Sequence, residues 1–135
     1  MTSISCHYSG SLGCSAVHGP SGATLHTDAP ADNHGQGGAF SPTDLIATSL
    51  ATCLLTIMGL VAERHGWRME GASARVEKTM SQELPRRIAA LEVWLVLPVS
   101  LEAGARATLQ RAAEGCPVKA TLKGAVPITL HWDTA

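Results

Sequence analysis

The feature that most constrains this chain is a long segment without charge, residues 45–62. Ser41 lies just before it and can cap the first amides of a helix, while Asp44, three residues later, completes a capping-box pattern. Gly66 follows the segment and is a typical helix stop. These signals predict a helix over Pro42–His65, about 36 Å long, with proline at the first position, which it favours.

Apolar side chains cover most of the circumference of this helix. They are Leu45, Ile46, Leu50, Leu54, Leu55, Ile57, Met58, Leu60 and Val61. A helix that is apolar all round is buried all round, and a chain of 135 residues can hardly surround it. We therefore expect a second subunit to cover one side. A membrane span is the alternative, but six hydroxyl residues, a soluble-style cap and the lack of an aromatic belt argue against it.

Composition narrows the class of protein. The length indicates one domain, and 45% hydrophobic with 16% charged residues is too apolar for disorder. A net charge of −1 excludes the basic footprint of a nucleic-acid-binding protein. No Lys or Arg precedes Arg64, whereas a signal or transit peptide needs early positive charge. We expect a cytoplasmic protein.

The rest of the chain alternates between strand and helix patterns. Residues 1–40 predict a meander of two or three short strands and a loop. Period-two alternation predicts strands over 68–81 and 87–98. The second of these has four inward side chains, Leu91, Val93, Leu95 and Leu97.

A second helix and a final strand follow. Ser100 is expected to cap the helix, and Gly115 to end it. Its apolar stripe is Leu101, Ala105, Leu109 and Ala112 or Ala113. Cys116 and Pro117 begin a short helix through Leu122, and a last strand alternates through Val126, Ile128, Leu130 and Trp132. The order predicts an α+β fold in a single domain, 1–135: meander and loop (1–40), central helix (41–66), then hairpin, helix, Cys-Pro helix and strand (67–135).

Two cysteines lie where thiol chemistry is conceivable. Cys53 is in the middle of the apolar helix, where packing is the ordinary role and the helix dipole adds little. Cys116 is at a predicted helix start, where amide donors and the dipole favour thiolate. Cys6 and Cys14 occupy strand positions, and we expect packing roles for both.

Other sites are not indicated. Cys14 and His18 have a spacing found at zinc sites, but a second ligand pair is missing, so no metal is expected. The chain has no GxSxG nucleophile elbow, no phosphate-binding loop and no dinucleotide fingerprint. We therefore expect no cofactor.

Five segments resemble the OsmC/Ohr family of osmotically inducible and organic-hydroperoxide-resistance proteins, in its OsmC-like branch. FSPTDL resembles the start of the family's central helix. SLATCLLTIM, around Cys53, resembles the first cysteine motif, and GCPVKATL, around Cys116, the second. AERHGW and PRRIAALEV add to the match, which runs from about residue 7 to residue 132.

The resemblance implies both a fold and an activity. The fold is an intertwined homodimer with β-sheets packed around two long central helices. The activity is thiol peroxidation in oxidative stress defence: Cys53 would be the peroxidatic cysteine that attacks an organic hydroperoxide, or hydrogen peroxide less well. Cys116 would be the resolving cysteine, and an external dithiol would reduce the disulfide. This chemistry requires no metal or organic cofactor.

The chain departs from the family at the groups that set the reactive thiolate. Ohr-type members use an N-terminal arginine and a glutamate just after the helix-start proline. Here no arginine precedes Arg64, and Thr43 stands at the glutamate position. Asp44 is about 180° around the helix from Cys53. His18, His34 or an arginine of a partner subunit could replace the missing groups.

Two other functions remain open. The same dimer could be a non-catalytic module that binds an apolar small molecule, with its thiols as packing groups. It could also be a redox sensor that forms the disulfide once and is reduced slowly.

Overall fold

The computed structural model describes residues 1–134, which form six β-strands and three α-helices. The strands are β1 (Ile4–Gly10), β2 (Gly13–His18), β3 (Thr24–Thr27), β4 (Ser73–Met80), β5 (Ile88–Leu97) and β6 (Ile128–Thr134). The helices are α1 (Pro42–His65), α2 (Ala103–Ala113) and α3 (Pro117–Leu122). The chain divides into two compact units, and the boundary along the sequence lies between Ile46 and Ala47. The single domain over 1–135 stays a prediction.

The first unit is a small antiparallel sheet followed by a loop. The strands pair in the order β1-β2-β3, with Cys6 opposite Ala16. β1 is exposed along nearly its whole length. The Asp28 carboxylate then fastens the loop by accepting hydrogen bonds from the amides of Ala29, Gln36 and Gly38, at 2.8–3.2 Å.

A reciprocal pair of hydrogen bonds starts α1. The Asp44 amide donates to Ser41 Oγ at 3.1 Å, and the Ser41 amide donates to Asp44 Oδ2 at 2.9 Å. This is a capping box with aspartate in the usual place of glutamate. At the other end, Gly66 has a φ of 71°, a left-handed conformation that glycine adopts readily and that terminates a helix. The helix spans Pro42–His65, as the sequence predicts.

The second unit has a mixed sheet with helices on its inner face. β5 is central, antiparallel to β4 and parallel to β6. Alternate residues of β5 are buried, as predicted for the inward positions. These residues form one core with side chains of α1 and α2. Its main members are Leu50, Leu54 and Met58 of α1, Leu91, Val93, Leu95 and Leu97 of β5, and Leu109 of α2.

Within one chain, α1 is buried on one face and not on all sides. The buried residues repeat every three or four positions, Ala47, Leu50, Ala51, Leu54, Met58 and Ala62. On the other side, Ile46 is 40% exposed and Leu60 45% exposed. The helix α1 is long and apolar enough to cross a membrane. The core helix of a soluble protein can have the same length and composition.

The predicted cap of α2 is wrong. Glu102, not Ser100, is the N-cap residue, and its side chain makes no capping hydrogen bond. The Leu101 amide donates to the Pro98 carbonyl at 3.2 Å. Residues 98–101 therefore form a turn, and the helix begins after it. The apolar stripe is nevertheless buried, at Leu101, Ala105, Leu109 and Ala113.

Truncating a buried leucine of α2 tests this core. Leu109 has no exposed surface, so Leu109→Ala should lower the free energy of unfolding by about 2–5 kcal/mol through lost burial and the remaining cavity. Denaturant titration at fixed protein concentration measures the change. The matched control is Leu84→Ala, because Leu84 is 89% exposed and its loss should cost less than about 0.5 kcal/mol. Equal losses in the two variants would contradict this packing.

Candidate functional site: a buried thiol pair

The fold brings Cys53 and Cys116 together, although they are far apart in the sequence. Cys53 lies in the middle of α1, and Cys116 is the residue just before α3. The two thiols lie close enough for Cys53 to raise the pKa of Cys116, and neither is in a disulfide. Two thiols in contact can form a disulfide with little movement of the backbone. The structure therefore places both candidate residues in one site, while their separate roles stay predictions.

Cys116 is held by backbone amides. It is the N-cap residue of α3, with Pro117 at the first helical position, as predicted. The Lys119 amide donates to Cys116 Sγ at 3.5 Å, and the Val118 amide also lowers the pKa of this thiol. The side chain has no exposed surface and belongs to the core cluster. The Lys119 amide and the core packing thus fix the position of this thiol.

The expectation that Cys116 is readily ionised is wrong. Burial raises the pKa of the Cys116 thiol above its ordinary value, and the hydrogen bond and charge of Cys53 raise it further. The Lys119 and Val118 amides lower the pKa, but by less. Burial removes the water that would stabilise a thiolate, and two amides of a six-residue helix do not replace it.

Cys53 lies at the margin of the buried face of α1. It is half-buried and packs against the core. Beside it, on the uncovered face, the hydroxyls of Thr52 and Thr56 each donate to a carbonyl of their own helix at 2.8 Å. Because these hydroxyls are turned to the backbone, the threonines offer mainly methyl groups to their surroundings. These methyl groups add apolar surface next to Cys53.

The other residues considered from the sequence have different roles. Asp44 binds the Ser41 amide, as expected of a capping residue. His18 Nδ1 is hydrogen-bonded to Ser21 Oγ at 2.6 Å, and His34 has a left-handed backbone in the loop. A role for either histidine in activating Cys53 stays a prediction.

The remaining two cysteines are in the first sheet. Cys6 is exposed within the chain, contrary to the expected packing role, and Cys14 is half-buried. Cys6 lies opposite Ala16, two residues along β2 from Cys14, and such diagonal neighbours are too far apart for an unstrained disulfide. Among residues 1–134, no group of three or more possible metal ligands is found.

A polar cluster that the sequence patterns did not predict lies on the outer face of the second sheet. Arg75 lies over the Trp94 ring at 4.0 Å, and Trp94 stacks on His131 with ring centres 5.0 Å apart. His131 Nε2 contacts Glu92 Oε2 at 2.6 Å. The cluster depends on the parallel pairing of β5 with β6. The alternation of each strand predicts which residues face outward, but not which strand lies beside it.

Comparison with known proteins shows where else this fold occurs. The family model described as OsmC-like protein matches residues 35–131. A crystal structure from Psychrobacter arcticus 273-4, described as an osmotic stress induced and detoxification response protein, is 36% identical. The match covers 98% of this chain and 96% of that chain, with a TM-score of 0.90. Among functionally curated proteins, none matches this sequence.

Two more distant structures share the fold. The organic hydroperoxide resistance protein OsmC of Legionella pneumophila is 23% identical, with a TM-score of 0.75 over 100% of this chain and 97% of that chain. An organic hydroperoxide resistance protein of Elizabethkingia anophelis is 14% identical, with a TM-score of 0.77 over 100% and 98%. These matches confirm the predicted α+β class and OsmC-like architecture.

Removing Cys53 should lower the pKa of the Cys116 thiol. Cys53→Ala deletes a hydrogen bond and a charge that both raise this pKa, so more Cys116 is thiolate at any given pH. Burial, the largest cause of the raised pKa, persists in this variant. The Cβ chemical shift of Cys116, followed against pH by NMR with ¹³C-labelled cysteine, measures it. Thr52→Ala, which keeps Cys53, is the control and should leave the pKa unchanged. An unchanged or higher pKa in Cys53→Ala would be inconsistent with the contact.

Proposed function

The chain belongs to the OsmC-like protein family, and we propose that it is a thiol-dependent peroxidase that reduces organic hydroperoxides, and hydrogen peroxide less well. The observation that carries this proposal is the contact between the Cys53 and Cys116 thiols. Packing alone does not require two distant thiols to meet, whereas a two-cysteine redox cycle does. The organic hydroperoxide resistance proteins that share the fold support the same substrate class.

Burial supports the division of roles between the two thiols. Cys116 has no exposed surface, whereas Cys53 is half-buried. A peroxide molecule can therefore reach Cys53 more easily. The Cys53 thiolate attacks the distal peroxide oxygen and the O–O bond breaks. The alkoxide that is released takes a proton from water and leaves as the alcohol, and Cys53 becomes a sulfenic acid.

The resolving step follows from the contact. The Cys116 sulfur attacks the Cys53 sulfenic acid, the S–O bond breaks, and water leaves as the disulfide forms. An external dithiol then reduces the disulfide and is itself oxidised to a disulfide. The cytoplasm, where such dithiols are kept reduced, is the proposed location. This cycle uses two thiols and needs no metal or organic cofactor.

The surroundings of Cys53 favour an organic substrate. One helical turn away, Ile57 packs against the core, and the Thr56 hydroxyl is bonded to the Thr52 carbonyl, so its methyl group is left for contacts. Apolar walls bind an alkyl or aryl group by removing it from water, with a gain of about 0.8 kcal/mol per CH₂. Hydrogen peroxide has no such group, so it should be the poorer substrate.

A homodimer would complete both units. The first sheet leaves Ile4 60% and Tyr8 68% exposed, and α1 leaves Ile46 and Leu60 exposed. A three-stranded sheet needs an apolar face covered to be stable, and an exposed apolar patch marks an interaction site. We propose that a second copy of the chain covers these surfaces. The uncovered face of α1 then becomes an interface beside Cys53.

Single-turnover kinetics with cumene hydroperoxide test the peroxidase. Cys53→Ser should abolish peroxide consumption, because the nucleophile is gone. Cys116→Ser should consume about one equivalent and stop, leaving a sulfenic acid on Cys53 that dimedone traps. Cys6→Ser is the matched control and should keep full turnover with excess dithiothreitol. The reverse pattern would make Cys116 the nucleophile. Full turnover in both site variants would exclude this mechanism and favour the apolar-ligand-binding module.

Sedimentation velocity tests the dimer. The wild-type chain should sediment as a folded species of twice the chain mass over a wide dilution range. Leu60→Glu should weaken this association, because it places a charge on the apolar face of α1. Glu63→Gln, one turn further along α1 and exposed, is the control and should leave the dimer intact. A stable folded monomer of the wild-type chain would refute the proposed assembly.

A further inference from the structure

The geometry points to Cys53 as the sulfur that an external dithiol attacks when it opens the Cys53–Cys116 disulfide, with Cys116 leaving as the thiolate. This inference deepens the proposed function and rests on it for the cycle in which the disulfide forms. It assigns a third task to Cys53, in addition to contact with peroxide and with Cys116. It also assigns a task to the backbone amides of α3.

Access distinguishes the two sulfurs. A thiolate attacks a disulfide in line with the S–S bond, from the side opposite the leaving sulfur. Attack on Cys116 would therefore come from beyond its sulfur, where a fully buried side chain has core residues and α3 around it. Attack on Cys53 would come from the side away from Cys116, and Cys53 is only half-buried.

Backbone amides assist the leaving group, which burial otherwise disfavours as a thiolate. The Lys119 amide donates to Cys116 Sγ at 3.5 Å, and the Val118 amide lowers the pKa of the same thiol. Hydrogen bonds to a charged acceptor are stronger than those to a neutral one, so these amides stabilise the departing thiolate more than they stabilise the disulfide. They offset part of the penalty that burial places on Cys116 as a leaving group, so removing one of them should slow the exchange.

The step balances in two exchanges. One thiolate of the dithiol bonds to Cys53 Sγ, the Cys53–Cys116 bond breaks, and Cys116 Sγ takes the electron pair and then a proton. The second thiol of the reductant, as thiolate, attacks the reductant sulfur bound to Cys53. Cys53 leaves with the electron pair, and the reductant leaves as a disulfide.

A map of the mixed disulfide decides which sulfur is attacked. The full chain carrying Cys6→Ser and Cys14→Ser is oxidised with diamide, which forms the disulfide without peroxide. Brief treatment with 2-mercaptoethanol, acid quenching and N-ethylmaleimide labelling then precede peptide mass spectrometry. We expect mercaptoethanol on Cys53 and maleimide on Cys116, in at least about tenfold excess over the reverse. Adducts mainly on Cys116, an even mixture, or no Cys53–Cys116 disulfide after diamide would each overturn the inference.

Two variants at one position test the amide. Lys119→Pro removes the donor N–H, whereas Lys119→Ala keeps it and removes only the ammonium that pairs with Glu114 at 2.7 Å. Reduction of the diamide-formed disulfide by dithiothreitol should be about tenfold slower in Lys119→Pro and within about twofold of wild type in Lys119→Ala. Equal rates in the two variants would remove the amide from the mechanism. The mixed-disulfide map is made on a chain with an unchanged α3. It therefore identifies the attacked sulfur even if the proline variant does not fold.

The proposed function can fail separately. A protein that consumes no cumene hydroperoxide, yet opens its diamide-formed disulfide at Cys53, would retain this exchange chemistry and lose the peroxidase assignment. A protein that turns over peroxide but carries its adducts on Cys116 would do the opposite.

Discussion

The burial of one face of α1 against β5 and α2 is the packing on which the rest of the second unit depends. Leu50, Leu54 and Met58 supply that face and have no exposed surface. Fully burying one such side chain is worth about 1.5–3 kcal/mol, so the rotation of α1 about its axis is strongly determined. Once the buried face is fixed, Cys53 must lie at its margin. That position places the Cys53 sulfur beside the buried Cys116 thiol and leaves it partly exposed on its other side.

The parts of this fold that local sequence determines were predictable. The span of α1 follows from Ser41, Asp44 and Gly66, whose effects reach only a few residues. The inward side chains of β5 follow from alternation alone. The start of α2 was missed because the Leu101 amide bonds to Pro98 in a turn, and a turn and a helix cap compete for the same serine-containing segment.

Interactions between distant residues were not predictable from the residues alone. Nothing in the spacing of Cys53 and Cys116 indicates that they meet, and the pairing came only from the family resemblance. The outer-face cluster around Trp94 was missed because parallel strands are joined by long crossovers. The ionisation of Cys116 was misjudged for a related reason. A helix start is visible in sequence, whereas burial depends on what packs against it, and here burial outweighs the amides.

A raised pKa and a resolving role are compatible because the two thiols are in contact. A resolving thiol meets its sulfenic acid inside the protein, and well-oriented intramolecular reactions reach effective molarities of about 10⁵–10⁸ M. That gain greatly exceeds the loss from a smaller thiolate fraction, since each unit of raised pKa lowers that fraction at most about tenfold. A protonated, buried Cys116 is also a poor target for a free peroxide, because the thiolate is the nucleophile. The burial that raises the pKa of Cys116 therefore helps to ensure that peroxide reacts first with Cys53.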